Sequence, residues 1–518
     1  MDINRLLISI VCISCILQIF YATRSSARLV TGWTVASGFV LAITAVLSYL
    51  TPAIAGLIGG SLWAVLIVAP SFAMVHVNRL LTQHKFQQAS KIAQIVRLLH
   101  PADGLREQPE LIKGLEMAQK GLIDEATLIF QRYQSSTPIG RYATICLYQI
   151  NSRWSELLIW LQLNTTKDIL TKESYILLMY LRSLGEIGDV NGLLEAWQQF
   201  KLSIEKTNLG TRNLARMYVL AFCGEKEQVA KLFNDSLAIY PQTVKDFWLA
   251  TAEQAAGNYE IARELLLNLT ECEDRRIREA AQWRLSQKNM VPYERTPLFE
   301  GIVEQIITEI QQEAWYKGSI IKRQPKTTYL IIGFNLIAFA LEIAFGGSTN
   351  LITLYNLGAL VPQKVLAGEW WRLFTATFLH FGWLHLTMNM FGLYFFGRLV
   401  EFILGVQRYL FVYLVTGFGS MLTVTLMSVN GYSKSGFLVG ASGAIMGLVG
   451  VSVAIFLRDW SRDKVAIASK NLRQFLLIIL LQTVLDLTTP QISFIGHFSG
   501  TIIGFLLGMM VKHDWKVR

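Results

Sequence analysis

The sequence predicts an all-α, polytopic membrane protein that also carries a soluble helical repeat domain. Three observations lead there. Hydrophobic residues make up 52% of the 518 positions and charged residues only 16%, against about 25% charged in an ordinary soluble domain. Apolar runs long enough to cross about 30 Å of hydrocarbon, which takes about 20 helical residues, recur at both ends of the chain. Between them lies a charged stretch in which turn glycines return at a regular interval. A mean hydropathy of +0.38 excludes a wholly soluble protein. It also excludes disorder, which needs low hydrophobicity and high net charge.

The first three apolar runs occupy residues 5–22, 29–49 and 53–76. The first lacks a strong basic n-region and is followed at once by a second long run, so it reads as a retained helix rather than a cleaved signal peptide. Arg24 and Arg28 lie between the first two runs, and Arg79 and Lys85 follow the third. The positive-inside rule places those joints in the cytoplasm. Residues 1–79 are thus expected to be a membrane segment of three helices.

Residues 80–315 read as a cytoplasmic domain of helical repeats. Gly121, Gly188, Gly224 and Gly257 are each followed by an apolar residue at +5 (Ala126, Leu193, Val229, Ala262) and another at +9 (Phe130, Trp197, Phe233, Leu266). A glycine turns the chain between two helices. The +5 and +9 residues then share one helix face and fill the core. A degenerate copy is expected at Ser152, Leu157 and Leu161. The segment GNYEIARELLLNL (257–269) resembles the second helix of a tetratricopeptide (TPR) repeat, and the spacing fits that family's period of about 34. Such α-solenoids bind peptides or partner proteins, so a protein partner is expected here.

A basic linker is expected at 316–327 (YKGSIIKRQPKT), and six further apolar segments follow at about 328–346, 382–402, 406–428, 441–457, 473–489 and 494–511. Lys317, Lys322, Arg323 and Lys326 precede the first of them. Arg458, Arg462, Lys464, Lys470 and Arg473 separate the fourth from the fifth, and Lys512, Lys516 and Arg518 end the chain. Six crossings put all these joints on one face, with the C-terminus cytoplasmic. Together with the N-terminal helices the sequence predicts nine spans. The net charge of +10 is therefore read as topology and lipid contact rather than as a nucleic-acid surface. Cys12, Cys15, Cys146, Cys223 and Cys272 show no disulfide framework, and the close pair lies inside an apolar run. No metal or cofactor is implied.

Polar groups within a bilayer are costly and are functional candidates by default. His380, His385 and Asn389 fall within HFGWLHLTMN. His385 and Asn389 are four apart and share a helix face, while His380 is expected at the helix mouth. Ser442 sits in GASGAIMGLVG (440–450), among small residues that allow close approach to its hydroxyl. From Ser442 to Leu457 is 16 residues, or about 24 Å of helix, shorter than the bilayer core. A helix ending at Arg458 on the inner face would start below the outer surface, with free N–H groups suited to an oxyanion. His497 opens GHFSGTIIGFLLG, where Gly500, Gly504 and Gly508 give one smooth face. Two glycine-faced helices bring a hydroxyl and an imidazole within reach, as a base-activated nucleophile requires.

These motifs resemble those of the rhomboid family of intramembrane serine proteases: GEWWRLFTATFLH (368–380), His380–x4–His385–x3–Asn389, GASG (440–443) and HFSGTIIG (497–504). The resemblance covers residues 328–511, within an expected six-helix protease domain at 328–518. It implies that Ser442 is the nucleophile and His497 the general base. It also implies that Asn389, His385 and the Ser442 N–H form the oxyanion hole, and that no third acid is used. By the same resemblance, Trp371 and Arg372 belong to a structural first loop, Glu401 is a structural acid read as a loop-pinning salt bridge, and transmembrane proteins are the substrates. Met446 stands where many bacterial members carry a tyrosine that packs on the catalytic histidine. Asp486, near the outer end of its span, reads as a hydrogen-bonded gate residue rather than a catalytic acid. The competing expectation is a catalytically weak membrane scaffold, against which Ser442, His497, Asn389 and His385 all argue. A zinc protease would need HExxH and a transporter would need internal symmetry; the sequence has neither. A bacterial plasma membrane is the expected location.

Overall fold

The computed structural model describes residues 3–24, 31–100, 105–286, 296–322, 324–431, 436–463, 466–489 and 492–511. Among them all regular structure is helical, apart from one isolated antiparallel bridge between Leu360 and Leu438. The loop containing Arg28, and Arg323, Lys464, Lys512, Lys516 and Arg518, lie outside the described residues. The chain divides into two compact units, one spanning Ile10–Ile310 and one combining Met1–Ser9 with Gln311–Arg518.

In the first unit, the helices Gly32–Leu50 and Ala55–Thr82 are long and apolar enough to cross a membrane. They cross closely: a Cβ at Gly59 would overlap the Thr44 hydroxyl. Apolar side chains such as Val35, Phe39, Phe72 and Val75 remain exposed on their outer faces, the pattern of lipid contact. The second helix does not stop at the expected boundary at 79. It runs on to Thr82, and Val77 and Leu80 join Phe86 and Ala89 in the core beneath the first repeat.

Helix pairs follow, each helix packed on the next. Gly121, Gly188, Gly224 and Gly257 take φ of +91°, +84°, +80° and +87°, the left-handed turns the spacing predicts. All eight of their +5 and +9 residues are buried. Ser152, the proposed degenerate copy, takes φ +51° without being glycine, and Leu157 and Leu161 are buried behind it. The sequence reading missed one further turn of this kind. His84 takes φ +56°, and Ala89 and Ala93 are buried at the same offsets.

This array curls back on itself. The helix Arg275–Ser286 packs against Gln108–Lys120. Asp274 is the tie: it meets His84 Nδ1 at 2.9 Å, accepts from Gln119 Nε2 at 3.2 Å and pairs with Arg276 at 2.8 Å. Burial alone would raise its pKa. The His84 hydrogen bond and the Arg276 guanidinium overcome that and hold the carboxyl below the usual carboxylate range. The curl encloses a cavity of about 210 Å3 walled by Trp154, Tyr175, Tyr218 and Trp248. Arg182 projects into it, stacked 4.4 Å from the Trp154 ring and 5.0 Å from the Trp248 ring.

In the second unit, Lys326–Ala344, Val406–Val429, Ser442–Ser461 and Asn471–Thr488 have the length and apolarity to cross a membrane. With the two N-terminal helices that makes six among the described residues. The other three expected spans are helical but shorter or mixed. The apolar part of the first helix covers Leu7–Phe20. The 382–404 helix is continuous through a widened π turn at Leu393–Gly397 and carries Arg398 and Glu401. Phe494–Met510 has 17 residues, about 26 Å of rise. The expected linker is largely helical, since Pro297–Lys322 runs into it and the next helix starts at Lys326.

The helix beginning at Ser442 is the axis of this unit. Its apolar window is 83% buried, against 17–44% for the other spans. Its nearest neighbour is Phe494–Met510. A Cβ at Gly500 or Gly504 would fall on the carbonyl oxygen of Gly443 or Gly447, and one at Gly450 on that of Thr501. The two backbones touch along three turns. Among the described residues Glu401 makes no salt bridge, contrary to the sequence expectation. It caps the helix Lys326–Ala344, accepting from Thr327 N at 2.9 Å, Thr328 N at 2.8 Å and Thr328 Oγ1 at 2.7 Å. A carboxylate at a helix N-terminus satisfies free N–H groups and the helix dipole together.

Two outcomes follow from these contacts. Gly504→Ala forces the paired helices apart and is expected to destabilise the protein by about 1–3 kcal/mol, read as a lowered Tm in detergent. Asp274→Asn is expected to speed hydrogen exchange across residues 275–286 at pH 7. The depressed carboxyl stabilises the fold above its unfolded pKa of about 4, and that contribution is lost as pH falls through the lower folded value. The exchange difference between variant and wild type should therefore shrink in strong acid.

Candidate active site

Ser442 stands where extended chain turns into helix. The preceding segment is held at two points: Leu438 exchanges backbone hydrogen bonds with Leu360 at 2.9 and 3.0 Å, and Gly440 N donates to Ala376 O at 2.9 Å. Gly440 then takes φ +132°, open only to glycine at little cost. The first helical bond runs from Ile445 N to Ala441 O at 3.0 Å. The N–H groups of Ser442, Gly443 and Ala444 therefore precede the helical ladder, as they do at any helix start. Ser442 itself is half-buried.

His497 occupies the first turn of Phe494–Met510, which is capped by the Ser493 side chain accepting from Gly496 N. It follows Gly496, whose carbonyl oxygen lies 3.6 Å from the Cβ position of Gly443. Ser442 precedes Gly443. The glycine contacts thus set Ser442 and His497 at the same level on touching backbones. The His497 ring is buried, and its Nδ1 lies 2.9 Å from both carboxylate oxygens of Asp486 and 3.3 Å from Gln482 Nε2.

His385 lies against the turn before the serine. A Cβ at Gly440 would come within 2.8 Å of His385 Cε1 and 2.9 Å of Nε2. Phe381 N donates to His385 Nδ1 at 3.3 Å. An Nδ1 that accepts leaves the proton on Nε2, so the edge facing Gly440 is a donor. Asn389 is buried one turn on and donates one amide hydrogen to His385 O at 3.0 Å, which leaves the other. A turn further along each helix, Gly392 meets Ile445. Asn389 and Ser442 thus occupy matching levels on neighbouring helices.

His380 belongs behind the site. Its backbone N–H donates to the buried Glu342 at 2.7 Å, and its ring packs edge-on against His385 at 5.2 Å. Arg372 is buried under the first loop, donating to Tyr355 O at 2.8 Å and Ala359 O at 2.9 Å while stacking on Tyr355 and Trp371. That is the structural role expected of it. Met446 sits in an apolar cluster with Val449, Val453, Phe456, Leu472 and Phe475. Asp486 is placed differently from the gate expected of it, because its carboxylate is spent on His497. The sequence signal was an acid near the end of an apolar span, eleven positions before the histidine, with nothing to say which way it faced.

Residues 367–514 match the model of the Rhomboid domain. The chain is 38% identical over 160 residues to RHOMBOID-like protein 6, mitochondrial, of Arabidopsis thaliana, covering 31% of this chain and 50% of that protein. It is 34% identical over 182 residues to Rhomboid protease GluP of Bacillus subtilis, covering 35% of this chain and 34% of that one. With the Putative rhomboid protease YdcA of Bacillus subtilis it shares 32% identity over 165 residues, 31% of this chain and 74% of YdcA. The chain belongs to the rhomboid family. It spans a third to a half of the length of the first two of these relatives. The rhomboid match includes Ser442, His497, Asn389 and His385, while the N-terminal helices and the repeat array lie outside it.

Gly440→Ala tests this arrangement. The added methyl group would displace His385 and strain the turn. Labelling of Ser442 by a fluorophosphonate in this rhomboid is expected to slow by roughly 10²–10³-fold, the effect of losing one oxyanion donor. Arg372 and Glu401 keep their contacts, so the Tm should fall only modestly.

Proposed function

We propose that this rhomboid is an intramembrane serine endopeptidase that cleaves transmembrane proteins with Ser442 and His497. The observation that carries the reading is the backbone contact of Gly443 with Gly500 and Gly496, which brings these two residues to adjoining helix starts. His497 takes the Ser442 proton as Oγ attacks the scissile carbonyl. The developing oxyanion accepts from Asn389 Nδ2, His385 Nε2 and the Ser442 N–H. His497 then protonates the leaving amine, and a water, activated by the same ring, hydrolyses the acyl-enzyme. No cofactor takes part. A substrate helix must unwind locally to present a carbonyl here, which favours small or helix-breaking residues at the cut.

The soluble array is read as a TPR-like domain that recruits a partner or substrate. Its support is the spacing of the left-handed turns and the aromatic cavity facing Arg182. The domain boundaries at 79/80 and 327/328 and a cytoplasmic array rest on the placement of Arg and Lys at the joints; a bacterial plasma membrane is proposed on the reading of the first apolar run as a retained helix. Exposed apolar faces supply the lipid contact.

In liposomes carrying a single-span reporter, wild type should cleave and Ser442→Ala should fall to background, a loss of at least about 10⁴-fold. Cleavage by Ser442→Ala at the wild-type rate would overturn the proposal and favour a scaffold whose protease activity came from elsewhere.

A further inference from the structure

Asp486 is a carboxylate nearly sealed within an apolar helix, its side chain 2% exposed. An unpaired charge at such a place is costly, and intramembrane acids pair or serve a function. Its carboxylate meets His497, both oxygens lying 2.9 Å from Nδ1. Gln482, one turn earlier on the same helix, donates to Oδ1 at 2.8 Å and so fixes the carboxylate. Ser442 begins the helix whose backbone touches the one carrying His497.

We infer that Asp486 is a positioning residue of the catalytic unit: it holds His497 in the Nδ1–H form and steadies the imidazolium, so that serine and histidine work as a Ser442–His497–Asp486 relay. The inference rests on the proposed protease reading. A carboxylate at Nδ1 accepts that proton, which leaves the Nε2 lone pair for the Ser442 hydroxyl. When Oγ attacks, its proton moves to Nε2, the Nδ1 proton stays in place, and the positive charge of the ring faces Asp486. Asp486 gains no proton. The charge on the base is then met by a fixed counter-ion rather than by water, which a membrane interior supplies poorly. Met446 offers the ring no hydrogen bond, so the carboxylate, itself held by Gln482, fixes its orientation.

A bland tie between two helices would also place Asp486 beside His497, and an asparagine would serve that tie nearly as well. The two roles separate in kinetics. In full-length protein in liposomes, Asp486→Asn should lower kcat by roughly 10²–10⁴-fold with KM within about twofold. Fluorophosphonate labelling should slow in parallel and Tm should change little. Asp486→Glu should recover part of the rate. A kcat within threefold of wild type for Asp486→Asn would overturn the inference. If that variant fails to fold, 15N NMR of His497 in the folded Ser442→Ala protein decides instead. A proton on Nδ1 at neutral pH supports the relay, and a neutral ring protonated on Nε2 refutes it. Failure of the protease reading shows separately, as cleavage that survives Ser442→Ala whatever Asp486 does.

Discussion

The contact on which the rest of the membrane unit depends is backbone against backbone, Gly443 and Gly447 on one helix against Gly500 and Gly504 on the other. Lipid gives helices no hydrophobic reason to associate, so their packing rests on van der Waals fit, and small residues allow it. Four glycines without Cβ atoms bring two helix axes closer than any other residue would permit. Ser442 and His497 are placed by these axes, each within three residues of a contact point, and need no long side chain to reach across. Around this pair the structure spends polar interactions on stiffness. Glu401 caps one helix, Arg372 knots the first loop, and the Leu360–Leu438 bridge fixes the extended segment that delivers the serine.

Polar residues in the apolar segments fall into two groups. Thr416, Ser420, Thr425 and Ser452 return their hydroxyls to carbonyls of their own helix, which removes the cost of burial and asks nothing of a neighbour. Glu342, Glu401 and Asp486 instead reach other segments, and each fixes a backbone or ring at a defined place. Glu342 holds the His380 backbone and Asp486 the His497 ring, while Glu401 holds the start of the Lys326–Ala344 helix. Charge in this membrane unit is placed where a position has to be held.

The elements legible in the sequence were those written in short periods. The four-residue glycine spacing gave the pairing of the helices that carry Ser442 and His497. The +5 and +9 offsets gave the repeat cores, even at Ser152, where a serine takes the left-handed turn. The turn at His84 was missed because no glycine marks it; its backbone angle does. Glu401 was read as an ion-pair acid because its true partners, two backbone N–H groups some 73 residues earlier, leave no trace in residue identity. Asp486 was seen but misplaced for a related reason. A lone acid in an apolar run shows that something is bound, and only the packing of two helices shows that it is an imidazole. The linker was read from its charges, although Lys and Arg are also good helix formers.

The central claim is that Ser442, served by His497, is the nucleophile of a rhomboid protease. Mass-spectrometric mapping of the adduct left by a fluorophosphonate on the full-length, membrane-embedded protein tests it most directly. The account predicts a single modified serine, Ser442, and no modification when His497 is replaced by alanine. An adduct on a different serine, or labelling of Ser442 that is indifferent to His497, would contradict it.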